Sequence, residues 1–366
     1  MDVVLLSDVY AEGWIRGAGA YKLATELRSA GYTVQVIDFA SRLTYNETIK
    51  LFDKFLTQQT KVLGVSNTFM SNNGSKIFEQ NWMLDLIQEY KNRFKFKVAI
   101  GGNRGGPATY TRLARETFDI LVSGFADKAI LAIVEDNAKG KLINGQLIID
   151  SNIDYEYNDF YKSKTIFTDQ DCIFPGEALP IEIARGCKFR CSYCFYPGNG
   201  KGNTYKHLKE KSVLRDELIY NYEKFGTQVY DIMDDLLNDS PEKCEYLHEV
   251  FTNLPFKVKF GSYARSDLLI SHLHTLPLLE ESGAIGLQFG IETLYKKSGS
   301  AIGKGMAKEK TIEGLNYIKE NSNISLGSGF IFGLPFEPME SIRSTIEWLD
   351  SVDCPLDNKE VYALSI

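Results

Sequence analysis

The chain has 366 residues, of which 44% are hydrophobic and 24% charged, an ordinary globular composition with length enough for two domains. Its formal net charge of −7 repels phosphate, which argues against a sequence-independent nucleic-acid binder and makes a nucleic-acid partner unexpected. Met1 leads directly into DVVLL with no basic leader, and no apolar run reaches the roughly 18 residues of a membrane span, so a cytoplasmic location without a membrane partner is expected.

The first part alternates short apolar runs with helix-period stretches. VVLLSD (3–8), TVQVID (33–38), KVLGVSN (61–67), KVAIGGN (97–103) and DILVSGF (119–125) read as strands, with helices near 16–30, 44–58, 75–93, 107–116 and 127–137. Continuous Val/Ile/Leu strands alternating with helices specify a doubly wound parallel α/β sheet, flavodoxin-like or Rossmann-like, with the strand order 2-1-3-4-5. Ligands of open α/β sheets bind at the carboxyl ends of the strands, where Ser7, Asp8, Ser66, Asn67, Gly101, Gly102, Ser123 and Gly124 stand. Each glycine among them is equally well explained as a tight βα turn.

GKLINGQLIID (140–150) reads as a hairpin turning at Asn144-Gly145, and an acidic, aromatic stretch follows it. The expected organisation is therefore a first domain over 1–140, a linker over 141–178 and a second domain over 179–366. The second domain opens another β/α series, with strands at 179–186, 228–235, 257–266, 283–292, 324–333 and 360–366. Ile342, Ile346, Leu349 and Val352 give the helix after the fifth strand an apolar spacing. Six such strands with polar carboxyl ends indicate a partial β/α (TIM-like) barrel whose site lies on that face, apparently truncated after its sixth strand.

Three of the six cysteines, Cys187, Cys191 and Cys194, fall in the loop after the first strand of this series. In a reducing compartment clustered thiols bind metal or react, whereas Cys172, Cys244 and Cys354 are scattered and read as small apolar residues. Three thiolates fit a 4Fe–4S cluster with one iron left open, or a zinc ion completed from elsewhere, for which the nearest histidine in sequence is His207.

CKFRCSYC resembles the CxxxCx(aromatic)C loop of the radical S-adenosylmethionine (SAM) enzymes, with Tyr193 at the aromatic position. The resemblance implies that Cys187, Cys191 and Cys194 hold a 4Fe–4S cluster and that SAM chelates the open iron. It also implies that reductive cleavage of SAM gives methionine and a 5′-deoxyadenosyl radical. DIMDD (231–235) resembles the motif that receives the SAM amino group, through Asp234 or Asp235, although the acidic pair departs from the commoner GGE. SYARSDLL offers Arg265 for the SAM carboxylate, and LQFGIET offers Gln288 and Glu292 for the ribose. GFIFGLPFE resembles the adenine-binding segment, including Ile331 and Gly333, with Phe336 where that motif has glycine.

A doubly wound domain ahead of such a barrel resembles the cobalamin-binding subgroup of the family. VAIGGN (98–103) and DILVSGFADKAI (119–130) are similar to its "GG…D.vv.GEGE" region, with FAD in place of EGE. No histidine precedes His207, so cobalamin in this domain is expected without a histidine ligand to cobalt. The expected function is cobalamin-dependent methyl transfer to an unactivated carbon of a small-molecule substrate, with electrons from a flavodoxin or ferredoxin. Radical rearrangement, cyclisation or oxidation without methyl transfer is the alternative within enzymes, and a non-enzymatic iron–sulfur protein the alternative outside them.

Overall fold

The computed structural model describes residues 1–8, 15–66, 82–102, 116–155, 159–194 and 207–364. They form two compact units, one of Met1–Asp159 with Ser163–Phe174, the other of Phe160–Lys162 with Pro175–Ile366.

The first unit is built on a seven-stranded sheet of β1 (Val3–Leu6), β2 (Val34–Ile37), β3 (Val62–Ser66), β4 (Lys97–Gly102), β5 (Ile120–Ser123), β6 (Lys141–Ile143) and β7 (Gln146–Asp150). The order is β2-β1-β3-β4-β5-β7-β6, so the expected 2-1-3-4-5 arrangement is present with all five strands parallel. β1 and β2 are buried along their whole length, as strands covered on both faces must be. On one side, Val4, Leu6, Leu63, Val65, Val98 and Ile100 pack with Phe52, Met83, Ile87 and Tyr90 of the helices Tyr45–Phe55 and Trp82–Phe94. Thr44 and Glu47 start the former helix with a reciprocal capping box.

The Asn144-Gly145 hairpin forms as expected, both residues left-handed at φ 50° and 82°. It does not lie in a linker, however, because β7 pairs in parallel with β5 and extends the sheet. Residues 163–174 also belong to the first unit. The Arg28 guanidinium grips the buried Asp171 carboxylate with two 2.8 Å bonds, and Arg16 donates to the carbonyls of Asp171 and Cys172. Apolar periodicity carries no trace of such polar clasps, which is why these residues read as a connection.

The second unit carries a six-stranded, all-parallel sheet of β8 (Leu179–Ile181), β9 (Val229–Ile232), β10 (Lys259–Ala264), β11 (Ala284–Glu292), β12 (Ser325–Phe332) and β13 (Asn358–Ala363), in the order β13-β12-β11-β10-β9-β8. Alternate residues, including Tyr230, Ile232, Phe260, Phe289 and Phe330, are at most 1% exposed. Phe251 of the helix Pro241–Thr252 meets Phe260 edge-on, and Trp348 of the helix Met339–Asp350 meets Phe330, so this is the helix-covered face. The last helix departs from its expected stripe. It buries Thr345 and Leu349, Ile346 is exposed, and Val352 lies beyond its end.

Candidate active site

β8 ends where the cysteine loop begins, and Asp234, two residues past β9, anchors that junction. Its Oδ1 accepts the backbone N–H groups of Ile183 (2.7 Å) and Ala184 (2.9 Å), and its Oδ2 accepts the Lys243 ammonium at 2.7 Å. Both partners of this ion pair are buried, and Lys243 also donates to the Leu236 carbonyl. Asp234 is thus consumed in tying strand to loop, and its neighbour has a different environment. Asp235 is only partly buried, and its Oδ2 accepts the N–H of Gly186 at 3.1 Å. Burial, reinforced by Asp234 and Glu182, pushes the Asp235 carboxyl up to about 6. Of the two sequence candidates, Asp235 retains an oxygen for a ligand and Asp234 does not.

Two polar groups meet the thiols. Phe189 donates its N–H to Cys187 Sγ at 3.5 Å, and Arg265 Nη1 donates to Cys191 Sγ at 3.7 Å. The guanidinium carbon of Arg265 lies 4.0 Å from the centre of the Phe189 ring, and a bidentate pair with Asp267 (2.9 and 2.6 Å) fixes its plane. Burial pushes the Asp267 carboxyl up, but the Arg265 guanidinium outweighs it and holds that carboxyl below its ordinary value. The Asn238 carboxamide clamps the Arg265 backbone, accepting its N–H and donating to its carbonyl. Burial pushes the Cys187 thiol up to about 11.

The far end of the loop is latched to β11. Tyr193 donates its hydroxyl to Glu292 Oε1 at 2.7 Å, and Lys304 donates to the same oxygen at 2.9 Å and to the Gly290 carbonyl. Burial, with Glu292 adding to it, pushes the Tyr193 phenol well above its ordinary range. Glu292 is left-handed at φ 66°, where the β11–β12 register shifts. Gly303, at φ 84°, lies against the loop, where a Cβ would make an ordinary contact with Cys191 Cα at 3.4 Å. An open pocket of about 510 Å³ adjoins this site, with Arg265, Asp267, Ser300, Gly303 and Lys304 in its wall. No sequence signal marks Lys304 or Asn238, whose roles depend on chain crossings.

Gln288 lies over β12, where a Cβ on Gly327 would fall 2.0 Å from its Oε1. Downstream, Glu337 closes the turn after β12. It accepts the N–H groups of Gly333 and Leu334 and the Thr293 hydroxyl. Ile331 is partly buried, Gly333 has φ 88°, and Phe336 takes φ 66°, so the turn keeps a left-handed residue where the motif has glycine.

In the first unit the candidate ligand residues separate. Ser66 pairs in register with Gly101, and Gly102 with Ser123, giving one row across the carboxyl ends of β3, β4 and β5. Asp8 is fully buried, and Ser41 occupies it, donating its hydroxyl to Oδ1 and its N–H to Oδ2. Ser7 is 2% exposed and packs against Gly17. Gly124 has φ 86°, and a Cβ there would meet Asn152 Nδ2 at 2.6 Å and Ser151 Oγ at 2.8 Å, so the chain after β7 explains this glycine. Asn67 lies outside the described residues.

Residues 181–349 match the family model of the radical SAM superfamily. The second unit therefore carries a radical SAM domain, and that class implies a 4Fe–4S cluster and SAM as cofactors. The fold of nearly the whole chain is shared with solved radical SAM structures. The structure of the methyltransferase TsrM from Kitasatospora setae, with tryptophan and a SAM analogue bound, superposes with a TM-score of 0.76 at 16% identity, covering 99% of this chain and 73% of that one. OxsB, a cobalamin-dependent SAM radical enzyme with aqua-cobalamin and SAM bound, gives 0.73 at 16% identity, covering 98% of this chain and 53% of that one. An uncharacterized methyltransferase of Pyrococcus horikoshii, PH0819, is 21% identical over 359 residues, which is 92% of this chain and 73% of that protein.

The donor set suits the cluster. A 4Fe–4S cluster takes its thiolates on separate irons. The Phe189 N–H and the Arg265 guanidinium reach the Cys187 and Cys191 sulfurs, outer partners of the kind that orient metal-binding side chains. Among the described residues no helix is long and apolar enough to cross a membrane.

Proposed function

We propose that the chain is a radical SAM methyltransferase that uses cobalamin bound to its first unit. The observation that carries the reading is the cysteine loop itself, with Arg265 on Cys191 Sγ and Asp235 on the backbone just ahead of Cys187. Cys187, Cys191 and Cys194 hold the cluster, which when bound supplies the electron that cleaves SAM to methionine and a 5′-deoxyadenosyl radical. Asp235 takes the SAM ammonium on its remaining oxygen. Arg265 takes the SAM carboxylate while Asp267 keeps its guanidinium in plane. Glu292 is steadied by Tyr193 and Lys304 through one oxygen and presents the other, with Gln288, to the ribose hydroxyls. Ile331 and Gly333 border the adenine.

In the first unit Ser66, Gly101, Gly102 and Ser123 line the cobalamin site, where small or absent side chains admit a wide ring to the backbone. Asp8 and Gly124 serve the fold instead. Cobalamin, when bound, carries the methyl group, and its cobalt takes no histidine from this unit, because none precedes His207. A small-molecule substrate and a one-electron donor protein complete the reaction.

The test uses the anaerobically reconstituted full chain with SAM and a chemical reductant, with and without hydroxocobalamin. Methyl transfer predicts S-adenosylhomocysteine that appears only when cobalamin is present, together with a base-off, His-off cobalt spectrum. Full cluster loading without cobalamin binding or S-adenosylhomocysteine would remove the methyltransferase reading and leave radical chemistry of another kind.

A further inference from the structure

The face of the second sheet turned away from the helices carries a carboxylate that the cofactor assignments leave unused. Asp231 lies on β9 between Tyr230 (1% exposed) and Ile232 (0%), whose side chains enter the helix-covered core. Strand alternation therefore sends Asp231 to the opposite face. Its register partner on β10 is Gly261, and a Cβ on Gly261 would still be 3.9 Å from Asp231 Oδ1. The next strand carries Gly286 in line with Gly261, so the space beside the carboxylate is clear of side chains across two strands.

No hydrogen bond, ion pair or charge partner reaches Asp231 among the described residues, and burial alone raises its carboxyl to about 6. A partly buried carboxylate without a partner is costly, and at neutral pH this one is largely ionised. The same face carries a second carboxylate, Glu360 of β13, to which Tyr362 donates at 2.6 Å. Lys259, at the start of β10, is exposed and makes no ion pair with Asp231.

Resting on the proposed SAM site, whose Gln288 stands two residues along β11 from Gly286 and so on this same face, we infer that the substrate also lies here and carries a cationic amine or guanidine group that Asp231 binds. The group brings the charge and N–H donors that the carboxylate lacks, and the glycines beside it leave room for the chain that bears it. Asp231 is thus a specificity-determining residue for an amino- or guanidino-substituted small molecule.

The experiment uses the reconstituted full chain with SAM bound and four short-chain probes: butylamine, butylguanidine, butanol and butyrate. Saturation-transfer NMR should detect the two cations and not butanol or butyrate. Asp231→Asn should weaken cation binding by about tenfold or more, the loss of a charge-assisted hydrogen bond. Equal cation binding by wild type and Asp231→Asn, or equal binding of butyrate, would overturn the inference. If Asp231→Asn does not fold, Asp231→Glu moves the charge by one methylene, and unchanged affinity for both cations in that variant would also overturn it. Iron content and 5′-deoxyadenosine formation, measured on the same wild-type sample, report separately on the radical SAM reading. Their presence without cation binding defeats this inference alone, and their absence defeats the reading beneath it.

Discussion

Replacing Asp234 and Asp235 one at a time should separate folding from cofactor binding at adjacent positions. Asp234→Ala leaves the N–H groups of Ile183 and Ala184 without an acceptor and the buried Lys243 ammonium without its counter-charge. An orphaned buried N–H costs about 1–3 kcal/mol, and breaking a buried ion pair about 3–5 kcal/mol. These losses overlap, because one carboxylate serves all three donors and Lys243 keeps the Leu236 carbonyl, so about 5 kcal/mol is a fair total. That is a large fraction of the roughly 5–15 kcal/mol by which a domain is stable, and the second unit should lose its cooperative melt near 25 °C. Asp235→Asn keeps an acceptor for the Gly186 N–H and disturbs a single 3.1 Å bond, so its melt should stay within about 1 kcal/mol of wild type. Its SAM affinity should fall by about tenfold to a hundredfold, because the ammonium loses its charged partner. The assay is urea unfolding of the apo-protein followed by circular dichroism, with equilibrium dialysis of SAM against the reconstituted protein. An Asp234→Ala protein that melts like wild type yet fails to bind SAM would refute this division of roles.

Three other predictions rest on separate features. Cys187→Ala, Cys191→Ala and Cys194→Ala should each abolish iron and sulfide incorporation, while Cys172→Ala and Cys354→Ala should retain it, as chemical analysis after anaerobic reconstitution would reveal. Phe336→Gly should stabilise the second unit by about 1 kcal/mol in a denaturant melt, because a non-glycine residue pays about that to be left-handed and this side chain is 64% exposed; a loss of stability would mean that its contact with Lys297 outweighs the strain. Burial raises the Asp38 carboxyl to about 6 despite N–H groups donated by Gly17 and Phe39, so the stability it contributes is complete below about pH 4 and is lost as pH rises through about 6. Asp38→Asn should remove that decline, so urea midpoints of variant and wild type should diverge between pH 4 and 6 and run parallel above pH 7.

Much of this architecture is written in local patterns. The Val/Ile/Leu strands of both units, the left-handed Asn144-Gly145 turn and the thiol spacing follow from periodicity, backbone sterics and ligand chemistry acting over a few residues. What stayed hidden depends on which strand a residue faces after folding. Asp234 and Asp235 are chemically identical, and only the path of residues 183–186 past the end of β9 assigns one to the backbone and leaves the other available. Gly124 reads as room for a ligand until Ser151 and Asn152 are seen to fill the space a side chain would need. Lys304 carries no motif, since its meaning arises where the 301–305 loop passes beneath the cysteines. Asp231 sits inside a recognisable motif, yet its role follows from the helix-covered neighbours on either side and the glycine across from it.

The central claim is that three thiolates and a bound SAM make a radical-generating centre. Its most direct measurement is 5′-deoxyadenosine and methionine, quantified by mass spectrometry after the reconstituted, reduced full chain is incubated with SAM. Both products should form in equal amounts with the wild-type chain and be absent with Cys191→Ala. A fully loaded cluster that leaves SAM intact under strong reduction would contradict it.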